Sequence, residues 1–305
     1  MPDKQSAGSS LAQRVVTGSG LATFVAAATL LLPSSWFALL IAAFALVGAW
    51  EWSGVAGWPS AGRRLAYCAV STLVLLGAGW LLQSKGGAWA VLLAGLVWWL
   101  VALAWVVRFQ QGQTVDAMNY PLVRLIAGWL ILVPSWAAVV HLHSVAPSGP
   151  WLVLYLVFLV STADSAAFFV GRRLGSRRLA SNVSPGKSLE GVAGALLATA
   201  MLAIAAGLAF GSVPLPGFVV LSLITVLVSI VGDLTESVFK RRAGLKDSGS
   251  IVPGHGGILD RIDSTLRPRR FSCSAPSGRA ARCEKAHDSR CHGHHRSEYP
   301  GRGGP

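Results

Sequence analysis

The chain has 305 residues and a formal net charge of +13. Apolar residues make up 53% of it and charged ones only 13%, against roughly a quarter charged in an ordinary soluble domain, so a soluble globular protein is excluded. Nucleic-acid binding is not the meaning of the positive charge, because most basic residues flank apolar runs, where anionic lipid headgroups attract them.

In chain order, apolar runs fall at about 15–32, 35–50, 65–82, 88–107, 122–140, 151–170, 191–210 and 217–232, separated by short breaks rich in Pro, Gly, Ser or charge. A bilayer core roughly 30 Å thick takes about 20 apolar residues per helix and leaves no backbone group free to bond water. The pattern predicts an all-α fold: a polytopic integral membrane bundle of about eight helices. Residues 1–14 form an N-terminal tail, 15–264 the membrane domain (helices of 15–141, then a second half over 151–264), and 265–305 a polar tail. Only Pro33, Ser34 and Ser35 divide the first two runs, which read as a helical hairpin with a short second arm. A cleavable signal peptide is rejected, since further apolar runs follow in place of a soluble domain. Glu51, beside Trp50 and Trp52 at the end of the second run, reads as an interfacial structural residue, and Cys68 as a packed small hydrophobe.

Lys and Arg set the orientation, because cytoplasmic loops retain positive charge. Up to Asp263, sixteen of the seventeen basic residues lie in the N-terminal tail or after an even-numbered run, and only Lys85 follows an odd-numbered one. The N-terminus and the even-numbered loops are therefore expected in the cytoplasm.

An ionisable group within a span is costly unless it faces protein or water, which makes it a functional candidate. Asp164 lies in the sixth run, about two helical turns before Arg172 and Arg173. Asp233 lies at the end of the eighth. If that helix continues, Asp233, Glu236, Ser237 and Lys240 recur at i, i+3, i+4 and i+7 and share one face.

After Lys240 the chain reads RRAGLKDSGSIVPGHGGILDRIDS. Gly254, Gly256 and Gly257 permit tight turns around His255. Asp260 and Asp263, three apart, offer the hard oxygen ligands that suit Mg²⁺, and Lys240, Arg241, Arg242, Lys246 and Arg261 complement phosphates. Metal, phosphate-holding cations and a positioned nucleophile are what nucleotidyl transfer needs. These groups alone identify neither the nucleotide nor the acceptor.

The stretch from Ser237 to Asp263, 27 residues that include Lys246-Asp247-Ser248-Gly249 and Pro253-Gly254-His255-Gly256-Gly257-Ile258-Leu259-Asp260-Arg261-Ile262-Asp263, resembles the signature of the phosphatidate cytidylyltransferase family. Ala163-Asp164-Ser165, Gly171-Arg172 and Ser184-Pro185-Gly186-Lys187-Ser188-Leu189-Glu190-Gly191 resemble further blocks of it. The resemblance covers about 151–264 and implies attack by a phosphatidate phosphate oxygen on the α-phosphorus of CTP, giving CDP-diacylglycerol and pyrophosphate. By this resemblance Asp233, Asp260, Ser237 and Lys187 are the catalytic candidates. Asp164, Ser184, Lys240, Arg241, Lys246, Asp247, His255 and Arg261 contact substrate, and Asp233, Asp260 and Asp263 hold Mg²⁺, with Asp164 a weaker fourth ligand. His255 is read as structural or phosphate-binding. A homodimer is a family expectation, and an assisting monovalent cation is left open. The implied location is a bacterial inner membrane, with the site facing the cytoplasm, where phosphatidate presents its phosphate.

The family's usual last apolar span is expected to be missing. Residues 265–305 are polar and basic and hold three of the four cysteines and four of the seven histidines. Cys283, Cys291, His292, His294 and His295 have zinc-ligand chemistry but fit no zinc module in spacing; the competing reading is a shifted frame in a GC-rich gene. Two other functions remain open: a related enzyme with an altered lipid phosphate or with activity lost through the tail, and a transporter using Asp164 and Asp233. The transporter predicts a helix repeat that the runs do not display.

Overall fold

The computed structural model describes residues 18–20, 22–211 and 214–243. After a shorter apolar helix α1 (Gly18–Leu31) come seven that are long and apolar enough to cross a membrane. These are α2 (Ser34–Val55), α3 (Ala61–Leu82), α4 (Gly87–Gln110), α5 (Pro121–His143), α6 (Gly149–Leu174), α7 (Leu189–Phe210) and α8 (Leu215–Arg242). One two-stranded antiparallel hairpin, β1 (Arg178–Ala180) with β2 (Ser184–Ser188), interrupts the helical order between α6 and α7. The expected helical membrane bundle is what folds. Of the expected terminal segments, 1–14 and 265–305 lie outside the described residues.

One expectation near the start is corrected. The second run is not short, since α2 continues to Val55; Glu51, one turn from that end, is 1% exposed. Hydropathy falls at Glu51 and Ser53, yet packing covers them. Trp52 donates from Nε1 to the Arg124 carbonyl at 2.7 Å, and its ring meets Phe239 of α8 edge-on at 4.9 Å. Tertiary contact extends the helix past the point where apolar composition ends. Cys68 is half-buried with its thiol 3.7 Å from the Leu46 carbonyl, as a packed small residue would be.

Helices α2 to α5 pack mainly on one another, and α6 to α8 on one another; α4 against α8 and α5 against α6 join the groups. The most extensive pair is α6 with α7. Small residues let them approach, as in membrane bundles generally: a Cβ on Gly191 would stand 2.9 Å from the Ala167 carbonyl oxygen, and one on Gly194 2.6 Å from Val170 Cγ2. Outward-facing Leu73, Leu76, Leu93, Leu96, Leu197, Leu208 and Leu221 stay exposed, as a lipid-facing surface requires.

Loops after even-numbered helices share one end of the bundle. Gln110 and Arg242, closing α4 and α8, bond respectively to the hairpin and to Val115, while Trp52 of α2 bonds at the start of α5. At the other end, the His143 imidazole bridges the Thr29 carbonyl at 2.9 Å and the Ser34 hydroxyl at 3.0 Å and stacks on Phe37. This division of the loops is the one implied by the distribution of Lys and Arg.

Candidate active site

The predicted stripe on α8 forms. Asp233, Glu236, Ser237 and Lys240 are all half-buried, while Leu234, Thr235, Val238 and Phe239 between them are buried. The buried set fixes the helix: Phe239 lies between Trp52 and Trp105, and Trp105 meets Trp98 edge-on at 5.5 Å. Lys240 pairs with Glu236 at 2.7 Å, one turn back.

Lys187 of β2 reaches α8 and forms an ion pair with Asp233, their side chains 18% and 21% exposed. Two blocks 46 residues apart in the chain (233 − 187) thereby meet at the hairpin end of the bundle. Partial burial strengthens such a pair over a solvated one, since less water screens it.

The hairpin that delivers Lys187 is held at both ends. At its base, Ser188 caps α7, its hydroxyl accepting from the Gly191 amide at 3.1 Å. In the same turn the Glu190 carboxylate accepts from the Ser176 amide at 3.1 Å, the Ser176 hydroxyl at 2.7 Å and the Arg177 amide at 3.2 Å. At its tip, Gln110 donates to the Ser181 hydroxyl at 3.1 Å and accepts from the Asn182 amide at 3.1 Å; its carbonyl takes the Asn182 side-chain amide at 2.8 Å. Gln110 is presented by a Schellman ending of α4: Gly112, with φ 76°, donates to Phe109 and Gln113 donates to Arg108. Across the hairpin, Arg178 donates to the Pro185 carbonyl.

Among the other sequence candidates, Ser184 is half-buried on β2 next to this crossing. Arg241 donates from Nε to the Val183 carbonyl at 3.3 Å, so it braces the hairpin from α8. Asp164 is exposed on α6 beside buried Ala163. It lies ten residues before the end of α6 (174 − 164), and Asp233 nine before the end of α8 (242 − 233). Along their own helices both acids are therefore about 14–15 Å in from the terminus, a depth where a carboxylate needs water or a partner. Lys246, Asp247, His255, Asp260, Arg261 and Asp263 lie outside the described residues. Among the described residues no three of His, Cys, Asp and Glu gather as a metal site.

Comparison with known proteins decides the family. A sequence model described as the cytidylyltransferase family matches residues 12–271, which takes in every described residue. The chain belongs to the cytidylyltransferase family. A phosphatidate cytidylyltransferase of Pseudomonas aeruginosa is 42% identical over 256 residues, covering 83% of this chain and 92% of the relative. One of Haemophilus influenzae is 37% identical over 275 residues, covering 83% and 94%. One of Bacillus subtilis is 41% identical over 130 residues, covering 42% and 48%.

Sequence reading missed what steadies this cytidylyltransferase hairpin. Glu190 had a visible signal, an acid in the first helical turn after a capping serine. Gln110 had none, because its partners lie 71 and 72 residues away.

Proposed function

We propose that this chain is a phosphatidate cytidylyltransferase, condensing CTP with phosphatidate to give CDP-diacylglycerol and pyrophosphate. The observation that carries it is the Lys187–Asp233 pair, a cation and a carboxylate held half-buried at the end of a membrane bundle, together with the names of relatives aligned over most of the chain. In the reaction a phosphatidate phosphate oxygen bonds to the α-phosphorus of CTP, and the bond from that phosphorus to the oxygen bridging the β-phosphorus breaks. Pyrophosphate leaves with the electron pair. The attacking phosphate monoester is already largely anionic near pH 7, its second pKa being about 6, so no general base is required. His255 is left a structural or phosphate-binding role.

Lys187 and Lys240 supply positive charge for the triphosphate, each held ready by an acid, Asp233 and Glu236. Ser237 stands on the same face, one turn from both Asp233 and Lys240. The chemistry of Asp233, with Asp260 and Asp263 from the signature, fits a hard divalent cation such as Mg²⁺, which when bound would neutralise phosphate charge. Asp164, Ser184, Lys246, Asp247 and Arg261 are proposed substrate contacts. The basic-residue distribution supports an inner-membrane orientation with this end of the bundle in the cytoplasm.

The test supplies radiolabelled CTP to membranes containing the 305-residue chain, with dioleoyl phosphatidate or a polyprenyl phosphate as acceptor. Labelled CDP-diacylglycerol that disappears in Asp260→Asn is the expected result. Label transferred only to the polyprenyl phosphate would assign a different acceptor, and label on neither would refute the reading.

A further inference from the structure

We propose a second lipid site, a groove between α3 and α5 that takes one acyl chain of an anionic glycerophospholipid while Arg64 and Arg124 hold its phosphate. It stands on its own geometry and does not depend on the transferase reading. The groove encloses about 380 Å³ between Tyr67 and Val70 of α3 and Leu122, Leu125 and Trp129 of α5, with Trp58 across one end. That volume lies within the roughly 300–1,000 Å³ typical of built ligand clefts.

Its floor is fixed. The Tyr67 hydroxyl donates to the Leu125 carbonyl at 2.8 Å, its ring stacks on Trp129 at 5.4 Å and 7°, and Trp129 Nε1 donates to Ser71 at 2.9 Å. The two helices are thus tied together below the groove and do not close over it. Its outer lip faces lipid, with Val70 and Leu122 exposed.

Charge at one end selects the occupant. Trp58 belongs to the α2–α3 link, and Pro121 opens α5, so this end lies at the membrane boundary, on the hairpin side of the bundle. Arg64 donates from Nε to the Trp58 carbonyl at 3.2 Å. The Arg124 guanidinium lies against Gly57, where a Cβ would be 3.6 Å from its Nη1. Two guanidiniums therefore flank the Gly57–Trp58 step; Arg64 also lies over the Trp50 ring at 5.6 Å, and Arg124 donates from Nη2 to the Asn119 carbonyl at 3.5 Å while its Nε is buried without an acceptor. Exposed Arg63 adds a third cation, while Glu51 is the one acid on α2, so the group stays net positive. Guanidinium pairs suit phosphate oxygens, and phosphate lies at the membrane boundary, the level of Trp58, which lines the end of the slot and accepts from Arg64. A neutral apolar helix would satisfy the slot but bring no anion to the two guanidiniums, whose described contacts are to carbonyls and a ring.

The test reconstitutes the full chain in phosphatidylcholine nanodiscs doped with phosphatidylglycerol carrying a diazirine on its acyl chain, then maps the photolabel. Labelling of the Val70 and Leu122 peptides is expected, competed by unlabelled phosphatidylglycerol and not by phosphatidylcholine. Val70→Trp, which fills the slot without touching the arginines, should lower labelling about tenfold at unchanged melting temperature. The double variant Arg64→Gln/Arg124→Gln should reduce it to the level of a phosphatidylcholine probe. Equal labelling by both probes in the wild-type chain, labelling indifferent to Val70→Trp, or near-complete crosslinking of Val70→Cys between two copies would each overturn the proposal, the last by making the groove a protein interface.

Discussion

Lys187 and Asp233 form an ion pair between a β-hairpin and the last described helix. Removing the lysine leaves a half-buried carboxylate without that cation and, in the proposed reaction, the triphosphate without one of its holders. Lys187→Met is expected to lower kcat by about 100-fold or more, the order seen when one transition-state charge contact is lost. Lys187→Arg should recover part of this, since charge is kept while a fork replaces a point charge. Steady-state CDP-diacylglycerol formation in liposomes measures both; a Met variant within twofold of wild type would separate the pair from catalysis.

Glu190 touches neither the ion pair nor the α8 stripe in any contact described, yet it gathers three donors at the base of the hairpin. Glu190→Ala should reduce kcat by up to about 100-fold, because displacement of a catalytic group by about 1 Å carries that cost, with KM for CTP changing less. Glu190→Gln retains an amide oxygen as acceptor and should lose less than the alanine variant. The kcat and KM of the two variants side by side distinguish lost positioning from lost substrate binding.

Gln110→Ala removes two side-chain bonds from the hairpin tip, each worth about 1 kcal/mol in a typical setting. Opening of the hairpin should become easier, read as faster amide hydrogen exchange over 178–188 with the helical spans unchanged. Combined with Glu190→Ala, the loss of activity should exceed the sum of the single effects, because both residues restrain one small element.

Phe239 is 1% exposed and packs against Trp52 and Trp105. Phe239→Ala should destabilise the bundle by about 3–5 kcal/mol, while Phe239→Leu should cost less. Thermal unfolding in detergent orders the two. Gly194→Val probes the α6–α7 seam in the opposite sense, since the added atoms meet Val170 where a Cβ alone would stand 2.6 Å away; overpacking of about 1–3 kcal/mol is expected.

Much of this was legible in the chain. Apolar length gave the helices, and the alternation of Lys and Arg gave the grouping of the even-numbered loops at one end. The period of Asp233, Glu236, Ser237 and Lys240 gave the half-buried face of α8, because helical spacing depends only on local geometry. What sequence could not give was long-range. The short stretch Ser184–Ser188 contains Pro and Gly, poor strand formers, and becomes a strand only because Arg178 and Ala180 pair with it. Glu51 is polar and so reads as a boundary residue; its burial beside Trp52, which seats against α5 and α8, depends on contacts distant in the chain. Arg241 reads as a phosphate ligand, and the bond of its Nε to the Val183 carbonyl was not legible in the chain. Asp260 and Asp263, metal candidates by sequence together with Asp233, stand outside the described residues, and their roles rest on the signature.

The most direct measurement compares wild type with Asp233→Asn in the same phosphatidate-containing liposomes, following CDP-diacylglycerol formed from labelled CTP at equal amounts of folded protein. A single site built from the hairpin and α8 predicts robust product from wild type and a loss of about 100-fold or more in the variant. Undiminished product from Asp233→Asn would contradict it.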